Sequence, residues 1–302
     1  MTHPSITVII VSYNRKTFLK DTINYCYNQL YKAAQVIVVD ASDGNLLLPQ
    51  AFLASFDKSL LYIKWPEVGN ISRQRNEGLK KATGEIVLFL DDDVKFDNDL
   101  FQTLVERFDQ FKPDAITGLI QSSHREVSKE VFIFKKDVLH YLGQPSFHQC
   151  DFLVETYLVS AACFAVKRDV ILSIGGFDER LGGVFDDSDV GIRLAANNFF
   201  VLHDNKVKVF HYAAKNSGSR SPKLGLDWKY TNTCYLQLKH FYKGREDVFY
   251  QKAINQMIRP SRSWLKPFER LQHIRAFKRG YAEALKRLSL GPVYLNSKNH
   301  AS

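Results

Sequence analysis

The chain has 302 residues, of which 45% are hydrophobic, 13% aromatic and 24% charged, a globular composition that excludes disordered, collagenous and fibrous classes. The charge is uneven: residues 251–302 hold eleven basic and two acidic side chains, the whole of the net charge of +9, so a neutral body carries a cationic tail of the kind that meets anionic surfaces. Cys26, Cys150, Cys163 and Cys234 stand far apart with no CxxC pair, which argues against a zinc site or a disulfide framework and predicts a reducing, cytoplasmic setting. The apolar runs Ile6–Val11, Ile86–Leu90 and Val159–Val166 are well short of the roughly 18–20 residues of a membrane span. Met1-Thr2-His3-Pro4 carries no basic leader, and the run after it reads as a first buried strand.

In chain order, Ile6–Val11, Gln35–Val39, Leu60–Trp65 and Ile86–Leu90 are short β-branched runs separated by helix-period sequence, the pattern of βαβ units in a mostly parallel sheet. Ser72–Ala82 predicts a helix ended by Gly84, and Asp97–Phe111 another, capped by Asp97 or Asn98. Each strand ends in polar residues: Ser12-Tyr13-Asn14, Asp40, and Asp91-Asp92-Asp93. In an open parallel sheet those ends converge on the ligand crevice. Residues 120–165 read as extended strands or loops over that crevice. Beyond them, Arg168–Ile174 and Ser188–Asn198 predict helices, Phe199–His203 and Val207–His211 edge strands, and Asn216–Gly225 a loop or boundary. This divides the chain into a unit of residues 1–215 and a mostly helical basic extension of 216–302.

Three features carry chemistry. Asp91-Asp92-Asp93 places three carboxylates at the end of a buried strand, where mutual repulsion favours a bound cation; Mg²⁺ or Mn²⁺ takes carboxylate oxygens and fills its other positions with water and phosphate. Alone, the triplet also fits a solvated turn. Asp186-Asp187-Ser188-Asp189 opens a helix after Gly182-Gly183, and capping accounts for one of its acids but not for three. A carboxylate held above the crevice is placed to act as a general base. His211, at a strand end, is either a structural histidine or a metal ligand.

Taken together, these segments resemble the family 2 glycosyltransferases of GT-A fold. Thr7–Arg15 is similar to the family's first strand and nucleotide loop; Arg75-Asn76-Glu-Gly78 through Gly84-Glu85 to Asp91-Asp92-Asp93 is similar to its ARNxGLxxAxGExxxFLDDD block; Gly175-Gly176-Phe177-Asp178-Glu179 and Asp186-Asp187-Ser188-Asp189 through Arg193-Leu194 are similar to its GGFDE and EDxDxxxRL blocks. The resemblance covers roughly residues 5–215 and implies an α/β, Rossmann-like sheet flanked by helices. It implies nucleotide-sugar contacts from Val11, Ser12, Tyr13, Asp40, Arg75, Asp91 and Asp92, with Asp91 or Asp92 meeting the ribose or sugar. Asp91 and Asp93 fall on the DxD metal positions, and His211 matches a histidine that completes the metal shell in some relatives. Asp187 matches the catalytic base, with Asp186 beside it as an acceptor-binding partner. Asp40 is followed by Ala41-Ser42-Asp43 rather than a second acidic residue or asparagine, which leaves uracil, thymine and guanine donors open.

The implied function is metal-dependent, inverting transfer of a hexosyl or deoxyhexosyl group from a nucleotide-diphosphate sugar to a glycan or lipid-linked acceptor in polysaccharide biosynthesis. The alternatives are a non-catalytic sugar-nucleotide-binding relative, against which Asp187 speaks, and a nucleotidyltransferase, whose GxGTRL-like loop is missing. In the tail, Leu271, Ile274, Phe277, Tyr281, Leu285 and Leu288 form an apolar stripe with Arg275, Arg279 and Lys286 to one side. Residues 268–288 fit an anionic membrane surface, peripheral on the inner face of the plasma membrane, or fit packing against the body. No RNA- or DNA-binding motif is present, so nucleic acid is not an expected partner. The oligomeric state stays open.

Overall fold

A computed structural model describes residues 3–122, 132–135, 138–141, 153–212, 225–258 and 267–295. The elements are β1 (Ile6–Ser12), α1 (Lys16–Tyr27), β2 (Gln35–Asp40), α2 (Gln50–Leu53), β3 (Leu60–Lys64), α3 (Ile71–Lys81), β4 (Ile86–Asp91), β5 (Val94–Lys95), α4 (Leu100–Phe111) and β6 (Ala115–Ser122). They continue with β7 (Phe132–Lys135), β8 (Val138–Tyr141), β9 (Leu153–Glu155), β10 (Cys163–Lys167), α5 (Arg168–Ser173), α6 (Asp186–Ala196), β11 (Val201–His211), α7 (Leu226–His240), α8 (Glu246–Ile258) and α9 (Pro267–Ser289). The main sheet runs β3-β2-β1-β4-β10-β6-β11-β5, with β9 also pairing β11, and β7 and β8 form a separate hairpin.

The central strands are buried on both faces, which is why β1, β2 and β4 read as continuous apolar runs. Ile6, Val8 and Ile10 face one core with Leu19 and Ile23 of α1 and Leu104 and Phe108 of α4. Ile9 and Val11, one residue out of phase, face the other with Leu79 of α3, Ile171 of α5 and Leu194 of α6. The parallel register sets Ser12 opposite Asp40 and Val11 opposite Asp91, so three strand ends meet along one line.

The sheet is mixed. β1–β4 pair in parallel, as does β6 with β11, but β10 enters antiparallel between β4 and β6, and β5 and β9 pair antiparallel with β11. The two expected edge strands are one strand, β11, with a register irregularity between Asp204 and Lys208; β6 lies on one flank and β5 and β9 on the other. α4 starts at Leu100, later than its acidic flank suggested, and α6 starts at Asp186. The expected loop at 216–225 falls, but for Gly225, outside the described residues.

The C-terminal helices form a third core, in which Cys234, Tyr235 and Leu238 of α7 meet Phe277 and Ala284 of α9 together with Leu181 from the body. The apolar stripe of α9 therefore faces inward: Phe277 is buried, and Tyr281 and Leu288 pack beside it. Leu271 and Leu285 remain exposed, and Arg279 pairs with Asp227 at 2.8 Å. The helix has its main apolar contacts on α7. No helix among the described residues is long and apolar enough to cross a membrane.

Gly280 lets α7 and α9 approach closely. A Cβ there would lie 2.7 Å from the Thr231 nitrogen and 2.8 Å from the Tyr230 Cβ, and backbone has nowhere to retreat. Gly280→Ala is expected to destabilise the protein by about 1–3 kcal/mol. A melting temperature equal to wild type by calorimetry would show that the helix pair tolerates separation.

Candidate active site

The crevice is built where β1, β2 and β4 end and where β11 returns beside β5. The antiparallel pairing of β5 with β11 puts His211 opposite Val94, next to Asp93, and Tyr212 N–H donates to the Asp93 carbonyl at 2.9 Å. His211 Nε2 lies 2.9 Å from Asp93 Oδ1 and 3.4 Å from Asp91 Oδ2. One ligand atom from each of Asp91, Asp93 and His211 falls within 4.8 Å of the others, so this sequence-predicted trio is brought together. Two carboxylate oxygens and an imidazole nitrogen converging in this way fit a divalent cation.

Burial opposes a charge on His211, but its hydrogen bonds to Asp91 and Asp93 outweigh that and push its pKa up to about 9. A metal bound here would compete with that proton.

The second aspartate of the triplet faces the other way. Asp92 is buried, accepting the Ser12 hydroxyl at 2.6 Å and Arg15 Nη1 at 2.9 Å. Burial pushes its pKa up to about 7, against the pull of Arg15 and Ser12. Arg15 also reaches Asp93 Oδ2 at 3.0 Å, so one guanidinium ties the two carboxylates. Arg15 lies 77 residues before Asp92, so this partnership is visible only in the fold.

Asp40 is likewise tied to neighbouring side chains. It is fully buried and accepts the Ser42 N–H at 2.9 Å, the Ser42 hydroxyl at 2.5 Å and the Tyr62 hydroxyl at 2.5 Å, so its carboxylate shapes the loop after β2. Val11 and Ser12 are buried, while Tyr13 is half-buried. Gln74 holds this region by donating to the Ser12 carbonyl at 3.2 Å and the Val39 carbonyl at 3.0 Å.

Arg75 links the two acidic motifs. Its Nη1 donates to Asp186 at 2.7 Å, its Nη2 lies 3.5 Å from Asp91, and it packs on the Phe177 ring. Asp186 also accepts the Ser72 hydroxyl at 3.0 Å and is only 2% exposed, so its carboxylate is held by Arg75 and Ser72. Asp187, next in sequence, is half-buried on the first turn of α6 and accepts the Ser188 N–H at 2.8 Å. The turn that delivers it is conformationally demanding: Gly182 and Gly183 have φ of 64° and 101°, and Phe185 sits at φ 64°, a left-handed conformation that costs a side-chain-bearing residue about 1–2 kcal/mol.

Asp189, the third acid, belongs to a buried ion cluster. It accepts Arg193 Nε at 2.8 Å, Lys239 Nζ at 2.5 Å and His240 Nε2 at 2.7 Å. Lys239 also meets Asp178 at 2.8 Å, and the Tyr235 hydroxyl donates to Asp178 at the same distance. Two motif carboxylates thus anchor α7, a role missed from sequence because the partners are remote in the chain.

Residues 7–171, more than half of the chain, match the family model described as glycosyl transferase family 2. The chain belongs to that family. A GalNAc(5)-diNAcBac-PP-undecaprenol beta-1,3-glucosyltransferase of Campylobacter jejuni is 25% identical to it over 202 residues, 66% of this chain and 62% of that one. The chain spans 19 to 62% of the length of the first curated relatives it matches. Among solved structures, TarS of S. aureus in complex with UDP-GlcNAc aligns with a TM-score of 0.64 at 16% identity, over 90% of this chain and 79% of that one. GalNAc-T7 with UDP, GalNAc and Mn²⁺ aligns with a TM-score of 0.66 at 12% identity, over 96% and 57%. The fold is the GT-A fold.

Proposed function

We propose that this family 2 member is a metal-dependent, inverting glycosyltransferase that moves a sugar from a nucleotide-diphosphate donor to a hydroxyl of a glycan or lipid-linked acceptor, in the synthesis of a cell-surface polysaccharide. The observation that carries the reading is the arrangement around Arg75: Asp91 of the metal-ligand trio is on one side and Asp186, next to Asp187, on the other. The lipid-linked substrate named for the Campylobacter relative and the UDP-sugar in the TarS crystals support the acceptor and donor classes.

Asp91, Asp93 and His211 would hold the ion, and two carboxylates with one imidazole favour Mn²⁺ over Mg²⁺. When bound, it would act as a Lewis acid toward the leaving diphosphate. Arg15 keeps Asp93 oriented, and Arg75 does the same for Asp91. Asp187 accepts the proton of the acceptor hydroxyl as that oxygen attacks C1 of the sugar. The C1–O bond to the diphosphate breaks on the opposite face, so the anomeric configuration inverts. Residues 1–215 form the catalytic unit in this reading, and 216–302 complete it.

A thermal-shift panel of UDP-, dTDP- and GDP-sugars with and without Mn²⁺ tests the proposal, since a ligand that binds the native state raises its apparent stability. One nucleotide is expected to give a metal-dependent shift. Because the ion must displace the proton from His211, the Mn²⁺ effect is expected to grow as pH rises from about 6.5 towards 9. A panel with no metal-dependent shift would overturn the donor site.

A further inference from the structure

A cavity of about 490 Å³ lies between the body and the C-terminal helices, within the roughly 300–1,000 Å³ of small-molecule sites. Its walls come from Gly69–Arg73, from the Glu179–Gly182 loop, and from α7, α9 and the segment after them. No residue of the Asp91–Asp93–His211 trio lines it. The Gly182–Gly183 turn that forms part of its wall leads directly into α6 and Asp187. We propose that this cavity is an acceptor subsite for a phosphate ester carrying a sugar or polyol. The inference rests on the glycosyl-transfer reading above, since that reading gives Asp187 an acceptor to deprotonate.

The lining chemistry selects the ligand. Arg73, Arg180, Lys286 and Arg287 face Glu179 and Glu283; Arg73 pairs with Glu179 and also with Glu67 at 2.5 Å, and Arg287 with Glu283 at 3.5 Å, so the positive excess of the wall comes from Arg180 and Lys286. Glu179 is neutralised by Arg73 at 3.1 Å and accepts the Asn76 side-chain amide at 3.0 Å. Arg180 is pinned by donating to the Gly291 and Leu290 carbonyls, and Arg287 by donating to the Arg180 carbonyl at 2.6 Å and Asn232 Oδ1 at 2.9 Å. A guanidinium has five N–H groups, so each keeps donors for an incoming oxyanion while its position is fixed. Lys286 is exposed and has no carboxylate partner among the described residues. Trp228, half-buried in the same wall, offers a flat apolar face to the carbon side of a sugar or polyol. A dianionic group with a hydroxylated carbon skeleton complements this combination. A neutral sugar would leave the excess positive charge unmatched.

The test is equilibrium dialysis of the full chain, stripped of divalent metal, against labelled glycerol phosphate. Without metal, the acidic donor site repels the probe, so binding reports on the basic cavity. Saturable binding is expected, with glycerol alone failing to compete and with affinity about tenfold weaker in Lys286→Ala, whose side chain lies on the surface. No saturable binding, or equal affinity in Lys286→Ala, would overturn the subsite. The donor thermal shift on the same preparation with Mn²⁺ restored separates the two readings: a shift retained without phosphate binding removes the cavity proposal alone, and phosphate binding without a shift overturns the donor reading and with it the acceptor role of the cavity. Phosphatidylcholine vesicles carrying phosphatidic acid distinguish the source of the phosphate. Co-sedimentation that Lys286→Ala abolishes assigns a lipid-borne ester, and binding of glycerol phosphate without co-sedimentation assigns a soluble or polymer-borne one.

Discussion

Asp187→Asn is expected to lower kcat for sugar transfer by about 10²–10⁴-fold, the usual contribution of a positioned general base, while the donor affinity measured by thermal shift stays within about twofold of wild type. An amide keeps the shape of the carboxylate and its capacity to accept the Ser188 N–H, but has no basicity to take a proton. An interaction used only in the transition state lowers kcat and kcat/KM together and leaves ground-state binding alone. Asp186→Asn provides the contrast. It weakens the buried pairing with Arg75, which also supports Asp91, so donor binding and stability are both expected to suffer. An Asp187→Asn enzyme turning over within tenfold of wild type would remove Asp187 as the base.

The parallel half of the sheet was legible because β1, β2 and β4 are buried on both faces and therefore read as unbroken apolar runs. The antiparallel entry of β10 was not, because strand direction depends on the long connection before it rather than on the residues Cys163–Lys167 themselves. β11 read as two edge strands because Asp204, Lys206 and Lys208 interrupt its apolar pattern; in the structure the irregularity between Asp204 and Lys208 carries it through that interruption. At α4, Asp97, Asn98 and Asp99 are all capping residue types, so sequence gave no way to choose among them. In the site, the motifs located the acids but not their directions. Asp91 and Asp93 converge with His211, while Asp92 turns to Ser12 and Arg15, Asp40 to Ser42 and Tyr62, and Asp186 to Arg75 and Ser72. A side-chain direction is set by partners brought together only in the fold, and for Asp92 and Asp186 those partners lie in distant segments. The same remoteness hid the link from Lys239 to Asp178 and Asp189.

Lys239→Met is expected to be the most destabilising single change in the C-terminal helices. Lys239 is largely buried, and burial works against its charge, yet Asp189 and Asp178 hold its pKa above the ordinary lysine value. Removing the ammonium leaves Tyr235 and two backbone N–H groups on Asp178, and Arg193 and His240 on Asp189, with one positive charge fewer among the buried carboxylates. Breaking a buried ion pair from one side costs about 3–5 kcal/mol, whereas a surface change such as Lys243→Met should stay within about 0.5 kcal/mol. Burial works against the charge of Asp189 too, but Arg193, His240 and Lys239 hold its folded pKa below that of the unfolded chain. Its contribution is therefore fully present above about pH 4 and fades as pH falls towards the folded value. Losing Lys239 raises that folded pKa, so the gap between Lys239→Met and wild type should be widest near neutrality and narrow on acidification. Denaturant melts across that range measure it directly. Because Asp189 lies on the same first turn of α6 as Asp187, loosening this anchor should also lower kcat in the folded fraction, with Lys239→Arg recovering part of both losses. A Lys239→Met protein with wild-type stability at neutral pH would mean that the cluster merely accompanies the docking of α7 and does not hold it.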